Sequence, residues 1–295
     1  MASAILVKHL SSFGKWGIRD GEFQKPCGIT TDTSINIYVA DSGNSRIQKF
    51  DRHGMFLAKF GLGEGGWFSK VGKLRAPTGI AIDATGNSYV TDVWVNCINK
   101  FDAEGRFLMK FGKPGKKDGE FSRLRSVHLD ADGCLWVVDA YNHRIQKLDP
   151  QGKFLLKFGK RGDNKEGQGE FYDPSDLAFD DKGCIYVTDT GHDMVQKFDT
   201  EGNFLFKFGK GGSEDGELDG PRGIAIDRKR RIYVTDVRNH RVQVFDTDGL
   251  FLFKFGSQGK KEGQFDQPYG IAISKQEEIF VTDNQNHRVQ RFSIS

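Results

Sequence analysis

The chain has 295 residues and a nearly balanced charge, with 43 Lys and Arg against 40 Asp and Glu. A net charge of +3 is too small by itself to indicate nucleic-acid binding, and no apolar run approaches the roughly 18 residues of a membrane span. No linker, low-complexity tract or charge run marks a boundary, so we expect one domain over residues 1–295.

The first predicted strand stands alone at the N-terminus, as Leu10-Ser-Ser-Phe13-Gly14. The apolar segment before it, Ala4–Val7, is too short for the core of a signal peptide. This strand resembles the end of a longer unit that occurs complete further along the chain, where it reads Leu252-Phe-Lys-Phe255-Gly256.

That longer unit recurs six times. The Asp that closes its second segment shows the period, with spacings of 51, 47, 50, 47 and 47 residues between Asp41, Asp92, Asp139, Asp189, Asp236 and Asp283. A fixed period in this range indicates one supersecondary unit packed against copies of itself.

Each unit contains four short runs of β-branched and aromatic residues. In the fifth copy these are Ile224-Ala-Ile, Ile232-Tyr-Val, Val242-Gln-Val-Phe and Phe251-Leu-Phe-Lys-Phe, and Asp and Gly fill the turns between them. No segment has helical periodicity. Six units of four strands predict an all-β fold, a six-bladed β-propeller with its blades around a central channel.

The sixth copy ends after its third strand. We therefore expect the N-terminal strand to pair with Val289–Phe292 and to complete blade six, which closes the ring and removes an exposed sheet edge.

The four cysteines, Cys27, Cys97, Cys134 and Cys184, have no metal-type spacing. Cys134 and Cys184 occupy the same position in neighbouring copies, farther apart than the ~7 Å Cα separation that a disulfide allows. We expect four reduced thiols, and hence a cytoplasmic protein.

The motif Tyr-Val-Thr-Asp followed by Asn-His-Arg-Val-Gln, with Pro-x-Gly-Ile-Ala-Ile-Asp before it, resembles the NHL repeat over essentially the whole chain. Such repeats form the propellers of TRIM-NHL and Brat-like proteins, of stand-alone microbial proteins and of the lyase domain of the peptide-amidating enzyme. In Brat-like members, the face with the loops into the inner strands binds single-stranded RNA or protein. The resemblance identifies the fold more firmly than the function.

Several repeated polar residues have a structural interpretation. The closing Asp and the Arg five residues later, as in Asp41 and Arg46, are expected to form ion pairs, and the intervening Asn to cap the turn. His143, His240 and His287 lie on separate blades, so they cannot converge on one metal ion.

Three copies depart from the motif. Cys97 and Met194 replace the Arg, while Leu124-Arg125-Ser126 replaces Pro-x-Gly and His128 replaces a small residue of the inner strand. Either drift of a repeat or remodelling around a ligand explains these changes.

An active site in a propeller is expected where the inner strands begin. The first residues after the Pro position are Cys27, Thr78, Arg125, Ser175, Arg222 and Tyr269, and the next are Gly28, Gly79, Ser126, Asp176, Gly223 and Gly270. Asp176 is the only carboxylate among them, whereas a calcium or zinc site needs several ligands. We expect no cofactor or metal and no enzymatic activity. The alternative is a propeller lyase or hydrolase with a metal at the central channel.

The loops into the inner strands and the turns between second and third strands define a surface that we name the top face. Loops 15–25, 61–76 and 112–125 carry eleven Lys/Arg and five Asp/Glu, whereas loops 159–173, 209–220 and 256–267 carry six and ten. Besides Lys70 and Lys73 in the basic loops, the candidate ligand-binding residues are Arg75, Trp94, Arg123, Arg125, Tyr141, Arg222, Arg238 and Tyr269.

This mixture suits two kinds of partner. Cations neutralise phosphates and aromatic rings stack on bases, which is what single-stranded RNA requires. Arg, Trp and Tyr also dominate the binding energy of protein and peptide interfaces. The sequence does not separate the two, and we expect a monomer that binds no membrane.

Overall fold

The computed structural model describes residues 6–62, 72–163 and 167–294. Lys70, one of the predicted basic loop residues, lies outside these ranges. Within them the chain forms six four-stranded antiparallel sheets, and the expected six-bladed propeller is confirmed.

The strands of the first half of the chain begin with β1 and continue through blades one, two and three. They are β1 (Val7–Phe13), β2 (Pro26–Thr31), β3 (Ile37–Asp41), β4 (Arg46–Phe50), β5 (Phe56–Phe60), β6 (Pro77–Ile82), β7 (Ser88–Asp92), β8 (Cys97–Phe101), β9 (Phe107–Phe111), β10 (Lys113–Pro114), β11 (Glu120–Phe121), β12 (Leu124–Leu129), β13 (Leu135–Asp139), β14 (Arg144–Leu148) and β15 (Phe154–Phe158).

Blades four, five and six follow the same order. Their strands are β16 (Lys160–Arg161), β17 (Glu170–Phe171), β18 (Pro174–Phe179), β19 (Ile185–Asp189), β20 (Met194–Phe198), β21 (Phe204–Phe208), β22 (Pro221–Ile226), β23 (Ile232–Asp236), β24 (Arg241–Phe245), β25 (Phe251–Phe255), β26 (Pro268–Ile273), β27 (Ile279–Asp283) and β28 (Arg288–Ile294).

The ring closes inside blade six, as the sequence predicts. β1 pairs antiparallel with β28, with Phe13 opposite Val289 and His9 opposite Phe292, and the pairing continues to Val7 opposite Ile294. The N-terminal strand therefore supplies the outer strand of a blade whose other three strands come from the C-terminus.

The core lies in the seams between blades. The second strand of each blade, such as β23, is buried along its whole length, which suits its β-branched and aromatic residues. Near the rim, a Phe of one outer strand packs on a Phe of the next blade, as Phe60 does on Phe101 with ring centroids 5.0 Å apart.

The predicted turn ion pairs are confirmed. Arg46 Nε lies 2.8 Å from Asp41 Oδ2, and the equivalent Arg144–Asp139, Arg241–Asp236 and Arg288–Asp283 pairs have distances of 2.7, 2.7 and 2.8 Å. Asn44 donates from its amide to Asp41 Oδ2 and to the carbonyl of Gly17, so it ties the turn to the loop above it. Burial raises the pKa of Asp139, Asp236 and Asp283, although these hydrogen bonds oppose it.

Helical structure in the described ranges is limited to two short 3-10 turns, Ser42–Asn44 and Ala140–Asn142. No helix there is long and apolar enough to cross a bilayer.

Candidate functional site

Three predicted site residues from three different blades meet at the top of the central channel. Tyr269, Arg125 and Arg222 follow the first position of their inner strands β26, β12 and β22, so all three side chains reach the channel mouth. The phenol oxygen of Tyr269 accepts a hydrogen bond from Arg222 Nη1 at 3.1 Å and another from Arg125 Nη1 at 3.3 Å.

The two guanidinium groups differ in their surroundings. Arg125 is 6% exposed, and its Nη2 donates to Asp173 Oδ2 at 2.6 Å. Burial by itself would lower the pKa of Arg125, but Tyr269 and Asp173 outweigh it and hold that pKa above its ordinary value. Arg222 is half-buried, lies 4.8 Å over the ring of Tyr269, and has no carboxylate partner among the described residues.

A second polar pair crosses the channel wall between blades three and four. His128 Nε2 lies 2.6 Å from Asp176 Oδ1, and Asp176 Oδ2 accepts the backbone N–H of Ile224 at 3.2 Å. Asp176 therefore has an imidazole and backbone N–H partners rather than an open coordination site. No group of three or more candidate metal ligands occurs in the described ranges.

The seam between blades three and four differs from the other seams. Elsewhere a hydroxyl of one blade donates to an inner-strand carbonyl of the next, as Thr235 Oγ1 does to Tyr269 O at 2.7 Å. At the other four seams, Ser42, Thr91, Thr188 and Thr282 make such bonds. In blade three, Val138 and Ala140 occupy the two positions that supply these hydroxyls. No hydroxyl of blade three makes such a bond within the part of the chain that the structure describes.

Glycine is also replaced at this seam. Gly28, Gly79, Gly223 and Gly270 let neighbouring inner strands approach, and a Cβ on Gly223 would lie 2.5 Å from the carbonyl oxygen of Tyr269. Blade three has Ser126 at this position. Its inner strand β12 approaches β18 less closely than any other two neighbouring inner strands approach each other.

A groove opens on the top face above the same seam. Its walls carry Arg123, Tyr141, His143, Arg161 and Tyr172, together with Asp173. The guanidinium of Arg123 stacks 4.7 Å above the ring of Tyr141 and donates to its hydroxyl at 2.5 Å. Tyr172 stacks on His143 with ring centroids 5.9 Å apart.

Trp94 and Arg75 project from the blade-two side of this face. Trp94 is 70% exposed on the turn between β7 and β8, and Tyr141 is 54% exposed on the equivalent turn of blade three. Arg75 is exposed, and its side chain has no carboxylate partner among the described residues. Arg238, in contrast, donates to Asp219 at 2.8 Å, so its charge is locally compensated.

The predicted site residues therefore form three groups rather than one surface. Arg125, Arg222 and Tyr269 meet at the channel mouth, Arg123 and Tyr141 line the groove, and Arg75, Trp94 and Arg238 are exposed on the surrounding top face.

Sequence reasoning missed Tyr172, which is 43% exposed, and the pairing of Asp173 with Arg125. A comparison of the six copies at the position after the loop Phe or Leu could have found Tyr172, because it is the only aromatic residue there. The other copies have Gln24, Arg75, Ser122, Asp219 and Asp266. Gly191 makes room for this ring, since a Cβ there would lie 2.1 Å from it.

All four cysteines are free thiols, as expected. Burial raises the pKa of Cys27, and it raises that of Cys97 to about 11, so neither thiol is primed as a nucleophile.

The fold and the channel define the class of protein: a propeller built from a repeated four-stranded unit. The sequence pattern of the NHL repeat matches residues 23–50, 218–245 and 265–292. The chain therefore contains NHL repeats within a six-bladed β-propeller.

Among curated proteins, the chain is 35% identical over 102 residues to protein brain tumor of Drosophila melanogaster. This matched segment covers 34% of this chain and 10% of that protein. The chain spans a tenth or less of the length of the curated relatives that it matches.

Two solved structures share the fold at low identity. A streptogramin B lyase superposes with a TM-score of 0.65 at 15% identity, covering 99% of this chain and 98% of that one. A gluconolactonase from Xanthomonas campestris superposes with a TM-score of 0.68 at 16% identity, covering 94% and 88%.

Proposed function

We propose that this chain is a non-catalytic binding propeller that holds single-stranded RNA on its top face over blades two to four. The observation that carries the proposal is the exposure of Trp94, Tyr141 and Tyr172 on the face that also carries the free cation Arg75. Exposed rings accept stacked bases and free cations accept phosphates, and neither contact depends on base identity.

The distribution of charge supports this part of the face. Lys73, Arg75 and Lys116 have no carboxylate partner among the described residues. The Lys that begins a loop pairs with a Glu both here, as Lys113 does with Glu120 at 3.5 Å, and in the later loops, as Lys160 and Lys210 do with Glu170 and Glu217 at 3.0 and 3.1 Å. A polyanion meets less competition from carboxylates over blades two and three than over blades four to six. The resemblance to Brat-like propellers, which bind RNA or protein on the same face, agrees with this choice.

The alternative of a metal-dependent lyase or hydrolase has less support. The described channel offers the carboxylate of Asp176 and the imidazole of His128, which already bind each other. A catalytic zinc site uses three protein ligands and a calcium site uses more. The likeness to a lyase and to a lactonase concerns the fold alone.

The test is binding of a fluorescent single-stranded RNA pool, followed by anisotropy at several salt concentrations. Trp94→Ala should weaken binding by ~1–3 kcal/mol and leave the melting temperature unchanged, because the ring is exposed on a turn. The double variant Lys73→Glu and Arg75→Glu should weaken binding and flatten its salt dependence, because phosphate contacts release counterions.

The matched control reverses two cations on the opposite face. Arg228 and Lys229 lie on the turn between β22 and β23, and their change to Glu should have little effect. The proposal fails if no RNA is retained, or if this control abolishes binding while Trp94→Ala is silent. A salt-tolerant complex with a peptide would instead indicate a protein partner, and about one tightly bound metal ion per chain in elemental analysis would indicate the enzyme.

A further inference from the structure

The charged groups at the channel mouth are paired unevenly, and one guanidinium has no carboxylate partner among the described residues. Asp173 is paired with Arg125, and Asp176 is paired with His128 and a backbone N–H. Arg222 remains, held by the ring and the hydroxyl of Tyr269 and by Ser175 Oγ at 3.5 Å. In the described part of the chain, no carboxylate lies within ion-pair distance of Arg222.

Two like charges converge on one atom at this place. Arg222 and Arg125 both donate to the phenol oxygen of Tyr269, at 3.1 and 3.3 Å, so their guanidinium groups lie side by side. Like charges at this separation repel each other, and the burial of Arg125 reduces the screening of this repulsion by water. An anion between them removes the repulsion, and the O–H of Tyr269, which donates to no acceptor among the described residues, is a further donor to it.

The form of the site favours a particular anion. Planar guanidinium groups bind the oxygens of phosphate or carboxylate in pairs. A phosphate monoester carries a charge of about −1.5 to −2 and three acceptor oxygens, which matches two guanidinium groups and a hydroxyl better than a carboxylate with one charge and two oxygens does.

The position favours the end of a molecule. The inner strands enclose the site, and Gly28, Gly79 and Gly270 line it beside Arg222, so these three positions add no side chain to the recess. A terminal group enters such a recess, whereas a phosphate inside a polymer has a sugar on either side. We propose that the channel mouth binds a phosphate monoester through Arg222, Arg125 and Tyr269.

Two sources share this chemistry. One is the terminal phosphate of the RNA on the top face, and this version rests on the proposed function. The other is a small phosphate ester that enters alone, which does not depend on RNA binding.

The first arm of the test uses small anions and calorimetry at constant ionic strength. Inorganic phosphate and phenyl phosphate should bind at least tenfold more tightly than acetate. Arg222→Gln should weaken phosphate binding at least tenfold, and Arg222→Lys, which keeps the charge but loses the planar fork, should weaken it less. Arg228→Gln, on the opposite face of the same blade, is the control and should bind phosphate as the wild type does.

The second arm compares one RNA oligonucleotide with a 5′-phosphate, a 3′-phosphate or hydroxyl ends. A terminal phosphate should strengthen binding about tenfold in the wild type, and this gain should disappear in Arg222→Gln. If phosphate binds but the RNA ends make no difference, the site serves a small phosphate ester.

The outcomes separate the two proposals. Phosphate that binds no better than acetate, or with equal affinity in wild type and Arg222→Gln, overturns the phosphate site even if RNA binds through Trp94. Phosphate binding that depends on Arg222, in a protein that retains no RNA, upholds the site and overturns the proposed function. The melting temperature of Arg222→Gln shows whether lost binding reflects lost folding, and Arg222→Lys provides the second variant in that case.

Discussion

The seam between blades five and six and the seam between blades three and four are built from the same repeat but held in different ways. At the former, Gly223 lets the inner strands touch and Thr235 donates across the seam to Tyr269 O. At the latter, Ser126 and Val138 replace these residues, and Arg125–Asp173 and His128–Asp176 cross the gap instead.

The difference is confined to the axis and the two faces. At the rim, Phe158 of blade three still packs on Phe198 of blade four with centroids 4.7 Å apart, as at the other Phe–Phe seams. On the face opposite the groove, a cavity lies at the same seam and is lined by Trp136 and Phe179. A seam can thus keep its hydrophobic contacts at the rim while ionisable side chains replace backbone contacts near the channel. The candidate site lies where this replacement occurs.

The largest effect should come from removing the pairing of β1 with β28, which closes the ring. Deleting residues 1–14 removes β1 and the Phe13 ring, which packs 4.9 Å from Phe50, and it exposes the edge of β28. Phe13 is partly buried, so its loss costs part of the ~3–5 kcal/mol of a buried Phe. The exposed edge of β28 adds to this, so we expect a large fall in melting temperature or aggregation. Calorimetry and size-exclusion chromatography measure both.

The control for this deletion removes residues 1–6, which precede β1, and should change neither quantity. A monomeric 1–14 deletion with the wild-type melting temperature would show that ring closure does not depend on the N-terminal strand.

An intermediate effect on stability should distinguish the two seams when alanine is introduced at the same repeat position of each. Gly223→Ala places a Cβ 2.5 Å from the carbonyl oxygen of Tyr269, and such overpacking costs about 1–3 kcal/mol. Ser126→Ala, at the equivalent position of the seam between blades three and four, removes a buried hydroxyl that has no hydrogen-bond partner among the described residues. This change should be neutral or slightly stabilising. Urea unfolding of both variants measures the difference. Equal destabilisation would mean that the two seams are packed alike.

The smallest effect should appear as a dependence of stability on pH. His143 Nδ1 accepts a hydrogen bond from the backbone N–H of Asp173 at 3.5 Å across the seam between blades three and four. His287 Nδ1 accepts one from the backbone N–H of Lys25 at 3.1 Å across the seam between blades six and one. Burial lowers the pKa of both imidazoles, with Arg161 and Lys25 adding to it. The folded state therefore binds these protons more weakly than the unfolded chain does.

These hydrogen bonds therefore contribute their full stabilisation above the ordinary histidine pKa of about 6.5. The contribution is lost as the pH falls through the lowered pKa values of the two imidazoles in the folded state. The melting temperature should fall by a few degrees between pH 7.5 and 5. His287→Gln should reduce this fall more than His143→Gln, because its hydrogen bond is the shorter one. Identical pH profiles in the wild type and both variants would contradict the interpretation of these bonds as joints between blades.

The sequence by itself determined the repeat, the number of blades, the closing strand and the ion pairs of the turns. All of these are set within one unit or between the two ends of the chain, where periodicity, turn residues and Asp–Arg spacing report local geometry directly. The departures at Ser126 and His128 were also visible, although drift of a repeat explained them equally well.

Only the tertiary structure decided which site residues meet. Arg125, Arg222 and Tyr269 are separated by 97 and 47 positions in the sequence, and they share one phenol oxygen because the closed ring sets the width of the channel. It also decided that Asp173 neutralises Arg125 and Asp219 compensates Arg238, while Arg222 has no carboxylate partner among the described residues. The charge of a loop can be counted from its sequence, but whether a given cation is free depends on side-chain directions that only the packing of neighbouring blades determines.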